Sequence, residues 1–270
     1  MLRFPVLLAF LAIAPATYAQ QADDAWKKLF TQGMYASTSK DYAQAERFLL
    51  SALHEAERFG ADDMRVGSTQ NTLGLVYVAE GKFKEAEAAY HKALAIFEKA
   101  YGEDSLDVAH VNFNIATVMF DEGQKAEALP YAKKAQQVYE GQLGGTSLNT
   151  ATVLCMEGDA YRAMKDYTHA ESLLRRCADI READGGVQNS DFADAMSSLA
   201  RLYVDEGKYA LADSRFKLSE KVRESTQGLT SPQLAQTLEE HSTLLKSMGR
   251  TKDADKLSAL AAAIRRNQKK

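Results

Sequence analysis

The 270-residue chain carries two cysteines and five histidines, and their spacing decides what chemistry they could perform. Cys155 lies three residues before Gly158, and Cys177 lies seven residues after Ala170. Antiparallel pairing of two helices at those small residues would bring the cysteines to neighbouring levels. They would then form either a disulfide, in an oxidising compartment, or a pair of buried apolar thiols. Neither has the activating neighbour and exposure that a nucleophilic thiolate needs. His54, His91, His110, His169 and His241 are scattered, and no two have the four-residue spacing with an acid that a zinc-hydrolase helix uses. His241, directly before Ser242, is expected to pack or hydrogen-bond inside a helix pair. Asp23-Asp24 and Asp62-Asp63 suit helix caps, because calcium needs a denser set of oxygens around a fixed turn. There is no G-x-S-x-G elbow, phosphate-binding loop or dinucleotide fingerprint. These residues predict no enzyme, no cofactor and no metal.

The elements that would position any site repeat along the chain. Turn-like tracts begin at Gly81, Gly123, Lys165, Gly207 and Gly249, 42 residues apart each time, with an earlier copy at Lys40. An alanine follows five residues after each start: Ala45, Ala86, Ala128, Ala170, Ala212 and Ala254. Twelve residues before each alanine stands another small residue: Gly33, Gly74, Ala116, Gly158, Ala200 and Ser242. Small side chains at both places let two antiparallel helices approach closely around a short turn. Apolar stripes accompany them, as in Leu73, Val76 and Tyr77 followed by Ala86, Tyr90, Ala93, Leu94 and Phe97. One hairpin cannot bury both of its faces, so each must be covered by the next. The expected fold is all-α, a right-handed αα superhelical solenoid with hairpins at 26–59, 67–100, 109–142, 151–183, 193–226 and 235–266.

Residues 1–19 read as a secretory signal peptide: Arg3, an apolar run from Phe4 to Ala14, then small residues before a cut between Ala19 and Gln20. The expected location is therefore exported, periplasmic in a bacterium and otherwise secreted. Removing Arg3 leaves 32 basic against 37 acidic residues, a formal charge of -5. That balance argues against nucleic acid, which demands a basic face. No later run is apolar for long enough to insert stably in a membrane.

Leu73-Gly74 with Tyr77, then Ala86, Tyr90 and Ala93, resembles the tetratricopeptide repeat family, especially its longer-period, kinesin-light-chain-like variety. Ala200 with Tyr203, Ala212 and Phe216 is a second good copy, and Gly158, Tyr161 and Ala170 mark a third. The resemblance covers about residues 26–266 and implies a protein-interaction scaffold. It also implies groove-side roles for Asn71 and Asn114, where such repeats often hold asparagine. Members that clamp a chain-end carboxylate carry asparagine one residue after the small first-helix position. Here Leu75, Thr117, Asp159 and Arg201 stand there instead.

Stacking would place the first helix of each hairpin on the inner curve. The candidate partner-binding residues are Asn71, Leu75, His110, Phe113, Asn114, Thr117, Phe120, Asp159, Arg162 and Arg201. An extended peptide or a partner helix could seat an apolar side chain near Phe113 and Phe120 and meet charged groups beyond them. The same residues admit a plainer reading: phenylalanines in the core, asparagines bridging helices, and Asp159, Arg162 and Arg201 as an internal ladder of ion pairs. The expected function is an exported, non-catalytic scaffold that holds an unidentified peptide or protein in a concave groove. The alternatives are a homo-oligomer that self-associates through its end repeats or convex side, an auxiliary subunit, or a divergent enzyme.

Overall fold

The computed structural model describes the backbone of residues 15–268 and the side chains of residues 20–268. The export segment expected at 1–19 lies outside the described residues, apart from the backbone of 15–19. The fold is an all-α stack of helical hairpins, with no strand among the described residues. It groups into two units, one ending at Glu103 and the other beginning at Asp104. The first unit holds α1 (Pro15–Thr38), α2 (Tyr42–Glu57), α3 (Met64–Ala79) and α4 (Phe83–Tyr101). The second holds α5 (Leu106–Asp121), α6 (Lys125–Leu143), α7 (Leu148–Ala163), α8 (Tyr167–Ala183), α9 (Ser190–Asp205), α10 (Tyr209–Gln227), α11 (Pro232–Ser247) and α12 (Thr251–Asn267).

First helices from α3 onward start three residues before the expected 67, 109, 151, 193 and 235, because a capping residue recurs with the repeat. Ser105, Ser147 and Ser231 accept a hydrogen bond from the amides of Val108, Thr150 and Leu234, at 3.2, 3.1 and 3.0 Å. Asp63 and Asn189 do the same work for α3 and α9. Each cap satisfies a donor that the first turn would otherwise leave orphaned.

The paired small residues act as the spacing implied. All six second-helix alanines are buried. A Cβ added to Gly74 would lie 2.4 Å from Cε1 of Tyr90, and one added to Gly158 would lie 2.6 Å from Cγ of Leu174. In the last hairpin the Ser242 hydroxyl donates to the Ala254 carbonyl at 2.9 Å, so a hydroxyl is satisfied at the same close approach. The first unit's core gathers Leu49, Leu73 and Val76, and the second unit's gathers Leu154, Leu174, Leu199, Leu202, Tyr203 and Phe216. Cys155 of α7 and Cys177 of α8 are joined as a disulfide, S–S 2.07 Å, with Cys177 fully buried.

The hairpin turns solve one conformational problem in two ways. The turn residue has positive φ in every copy: 61° at Lys40, 64° at Lys165, and 74–84° at Gly81, Gly123, Gly207 and Gly249. Where lysine bears that strain, an aspartate follows and caps the next helix: Asp41 accepts from Gln44 N and Asp166 from His169 N. Where glycine removes the strain, Lys82, Gln124, Lys208 and Arg250 follow without a side-chain cap. Lys165→Gly, with Asp166 kept, combines both devices. It should stabilise the second unit by about 1 kcal/mol, read as a shift of the urea midpoint. A midpoint that falls would show that Lys165 contributes more through its side chain than it costs in backbone strain.

Candidate functional site

Within the second unit, α5 packs beside α7, and α7 beside α9, so successive first helices form one face. Its aromatic end is built by α5. His110 is exposed, whereas Phe113, Asn114, Thr117 and Phe120 are half-buried, so neither phenylalanine is wholly core. Thr117 spends its hydroxyl on the Phe113 carbonyl at 2.9 Å, within its own helix. Lys125 places its ammonium 4.6 Å from the centre of the Phe120 ring, a cation–π contact at the hairpin turn. The His110 ring lies 5.4 Å from that of Tyr139, which α6 contributes from behind. His110, Phe113, Tyr139, Asn149 and Thr152 together line a cavity of about 280 Å³.

The polar end is a chain of paired charges across α7, α9 and α11. Arg162 reaches Asp205 at 2.7 Å and Asp159 at 3.3 Å. The other oxygen of Asp159 accepts from the Ser198 hydroxyl at 2.8 Å, which in turn accepts from Arg201 at 2.8 Å. Arg201 then reaches Glu240 at 3.2 Å. Asp159, Arg162 and Arg201 therefore come together as a ladder between neighbouring hairpins. Three carboxylates against two guanidinium groups leave it one unit negative. A ligand at this end would compete with existing pairs.

Asn71 and Leu75 lie in the first unit, on α3. Asn71 is half-buried and Leu75 is 49% exposed. Residue types at first-helix positions did not point to Tyr139, Asn149, Asp205 or Glu240. Tyr139 comes from a second helix; the other three lie on first helices, and the long side chains of Arg162 and Arg201 reach Asp205 and Glu240 across neighbouring hairpins. Aligning the chain on its 42-residue step would have drawn attention to Tyr139, because Phe97, Tyr139, Arg181, Arg223 and Arg265 share one register.

Two buried ionisable groups lie behind the face, also in one register. Leu73, Ile115, Glu157, Leu199 and His241 each precede the small first-helix residue. Glu157 is 2% exposed, and its Oε1 has no hydrogen-bond partner. Burial pushes its carboxyl up to about 7, with Lys133 opposing and Glu140 adding to the rise. His241, also 2% exposed, is held by Glu220 at Nδ1 (2.7 Å) and Asp213 at Nε2 (2.8 Å), and stacks on Phe216 at 5.4 Å. Burial pulls its pKa down, but the two carboxylates outweigh that and raise it. Among the described residues, no group of three or more histidines, cysteines and carboxylates is placed to hold a metal ion. No described helix is long and apolar enough to cross a membrane.

A family model described as tetratricopeptide repeat matches residues 65–141 and 107–183. No curated protein matches the sequence. Among solved structures, BtubC (BKLC) from P. vanneervenii is 20% identical, covers 89% of this chain and 92% of its own, and superposes with a TM-score of 0.67. A putative kinesin light chain with nearly identical repeats from Podosopora anserina is 19% identical, with 77% and 98% coverage and a TM-score of 0.64. PilW, a type IV pilus biogenesis factor, is 20% identical, with 88% and 92% coverage and a TM-score of 0.65. At such identities the likeness is one of fold.

Proposed function

We infer, from a chain that is a tetratricopeptide-repeat α-solenoid, that it serves as a non-catalytic scaffold gripping a peptide or protein through its inner, first-helix face. The observation that carries this reading is the juxtaposition on α5 and α7 of a side-chain-sized apolar cavity with polar groups at its rim. Phe113 and Tyr139 can exclude water around an inserted side chain, while His110, Asn149 and Thr152 can fix its orientation. The charge ladder beyond them holds α7, α9 and α11 in register, so the binding surface is preformed. The signal-like start supports an exported location, where the Cys155–Cys177 disulfide would persist.

The test begins with crosslinking in the native envelope to identify the partner, followed by affinity measurement with the purified pair. Phe113→Ala should weaken binding about tenfold, the loss of one central apolar anchor, with helicity unchanged. Unaltered affinity in the folded variant would reject this surface.

A further inference from the structure

The register that holds Phe97 and Tyr139 changes character in the later hairpins, where it holds Arg181, Arg223 and Arg265. The facing first-helix register holds His110, Thr152, Asp194 and Gln236. The two registers meet. His110 packs against Tyr139, Thr152 lies 3.3 Å from Arg181, and Asp194 forms a 2.5 Å ion pair with Arg223. Arg265 instead reaches Glu239, three residues beyond Gln236, at 3.2 Å.

Arg181 is the exception. It is only 6% exposed, yet its guanidinium rests on neutral oxygens: the Asp191 carbonyl at 2.7 Å and the Thr152 hydroxyl at 3.3 Å. The Thr152 hydroxyl is itself committed as a donor to the Leu148 carbonyl. Among the described residues no carboxylate lies within 4 Å of Arg181; Asp191 and Asp194 act on it from farther away, and burial lowers its pKa against them. A buried cation without a contacting counter-charge is costly, and the next hairpin shows how this fold otherwise meets that cost. Thr152 also lines the cavity with Phe113, Tyr139 and Asn149, so only the Thr152 side chain stands between the under-compensated guanidinium and that space.

Resting on the reading of this face as a partner-binding surface, we propose that the cavity receives a glutamate side chain from an extended partner segment, whose carboxylate gives Arg181 the counter-charge that Asp194 gives Arg223. Glutamate fits better than aspartate. Its methylenes lie against the Phe113 and Tyr139 rings while the carboxylate reaches Thr152 and Asn149. Thr152 turns aside, or shares the guanidinium, as the new charge-assisted hydrogen bond forms.

The experiment uses an array of short synthetic peptides in matched pairs that differ only as glutamate or glutamine at the centre, probed with the full chain. Glutamate peptides should be retained about tenfold more strongly than their glutamine partners. Arg181→Gln should abolish the difference. Because that variant removes a buried group and could fail to fold, Thr152→Asp serves as the second. It supplies the counter-charge internally, as Asp194 does, and should erase the glutamate preference while raising the melting temperature. No preference in the parent chain, or a preference that survives Thr152→Asp, overturns the proposal. If peptides bind with sensitivity to Phe113→Ala but without glutamate preference, the groove stands and the acid slot falls. Binding indifferent to Phe113→Ala, or no binding by any peptide, overturns both.

Discussion

His241→Leu should destabilise the second unit by about 3 kcal/mol near pH 6, even though leucine suits that position in the hairpin before it. The size of the side chain is not the reason. The imidazole bridges Glu220 and Asp213 of α10, and a ring with hydrogen on both nitrogens can satisfy both carboxylates only as a cation. Leucine removes that cation and leaves Glu220 half-buried beside α11. Asp213 keeps Lys217 at 2.7 Å and Arg250 at 3.4 Å. Adding Glu220→Gln should therefore recover part of the loss, because no uncompensated carboxylate then remains at that end. A raised folded pKa means that the His241 contribution is fully present below the ordinary histidine value of 6.5 and is lost as pH rises through the folded value. The parent chain should thus lose stability above pH 6.5 by a step that His241→Leu lacks. Urea unfolding across pH measures both. A single variant within about 0.5 kcal/mol of the parent at pH 6 would mean that the bridge contributes nothing beyond packing.

Glu157→Leu should act in the opposite direction and stabilise the fold by about 3 kcal/mol at pH 7.5 and above. Leucine or isoleucine holds the same register as Leu73, Ile115 and Leu199, so the pocket already accommodates a branched apolar side chain in neighbouring hairpins. The buried carboxyl titrates at about 7 in the folded chain against an ordinary 4.5. Its folded pKa is raised, so the folded state binds the proton more tightly. The parent chain is then most stable, as far as this group decides, below pH 4.5, and it loses stability as pH rises to about 7. Glu157→Leu should flatten that decline, and Glu157→Gln should flatten it without the full packing gain. A stability–pH curve parallel to the parent's between pH 4.5 and 7 would contradict the assignment.

The repeat was legible because close approach of two backbones tolerates few residue types. Gly74 against Tyr90 and Gly158 against Leu174 leave no room for a Cβ, and that constraint recurs as a spacing that can be read from residue names alone. The first-helix face was legible for the same reason, since the phase of the small residues fixes which side of each helix is turned away from its partner. What long side chains reach was not. Asp205 and Glu240 join the ladder across neighbouring hairpins, and Tyr139 arrives from a second helix. Sequence spacing specifies a Cβ direction but not the end of a flexible chain several bonds away. The reading of Asp159, Arg162 and Arg201 accordingly left ligand contact and internal ladder both open, and the geometry pairs them with one another. Glu157 and His241 do not stand out as a pair from local spacing, because His241 is read only beside Ser242 and nothing near Glu157 marks it. Only the 42-residue alignment shows both standing in for leucine.

The first-helix face of α5, α7 and α9 is proposed as the gripping surface. Hydrogen–deuterium exchange of the full chain, alone and saturated with its crosslink-identified partner, tests that claim directly. Slowed exchange should concentrate in α5 and α7, with α6, α8 and α10 little changed. Protection confined to those second helices, or to the terminal hairpin of α11 and α12, would place the partner elsewhere and contradict it.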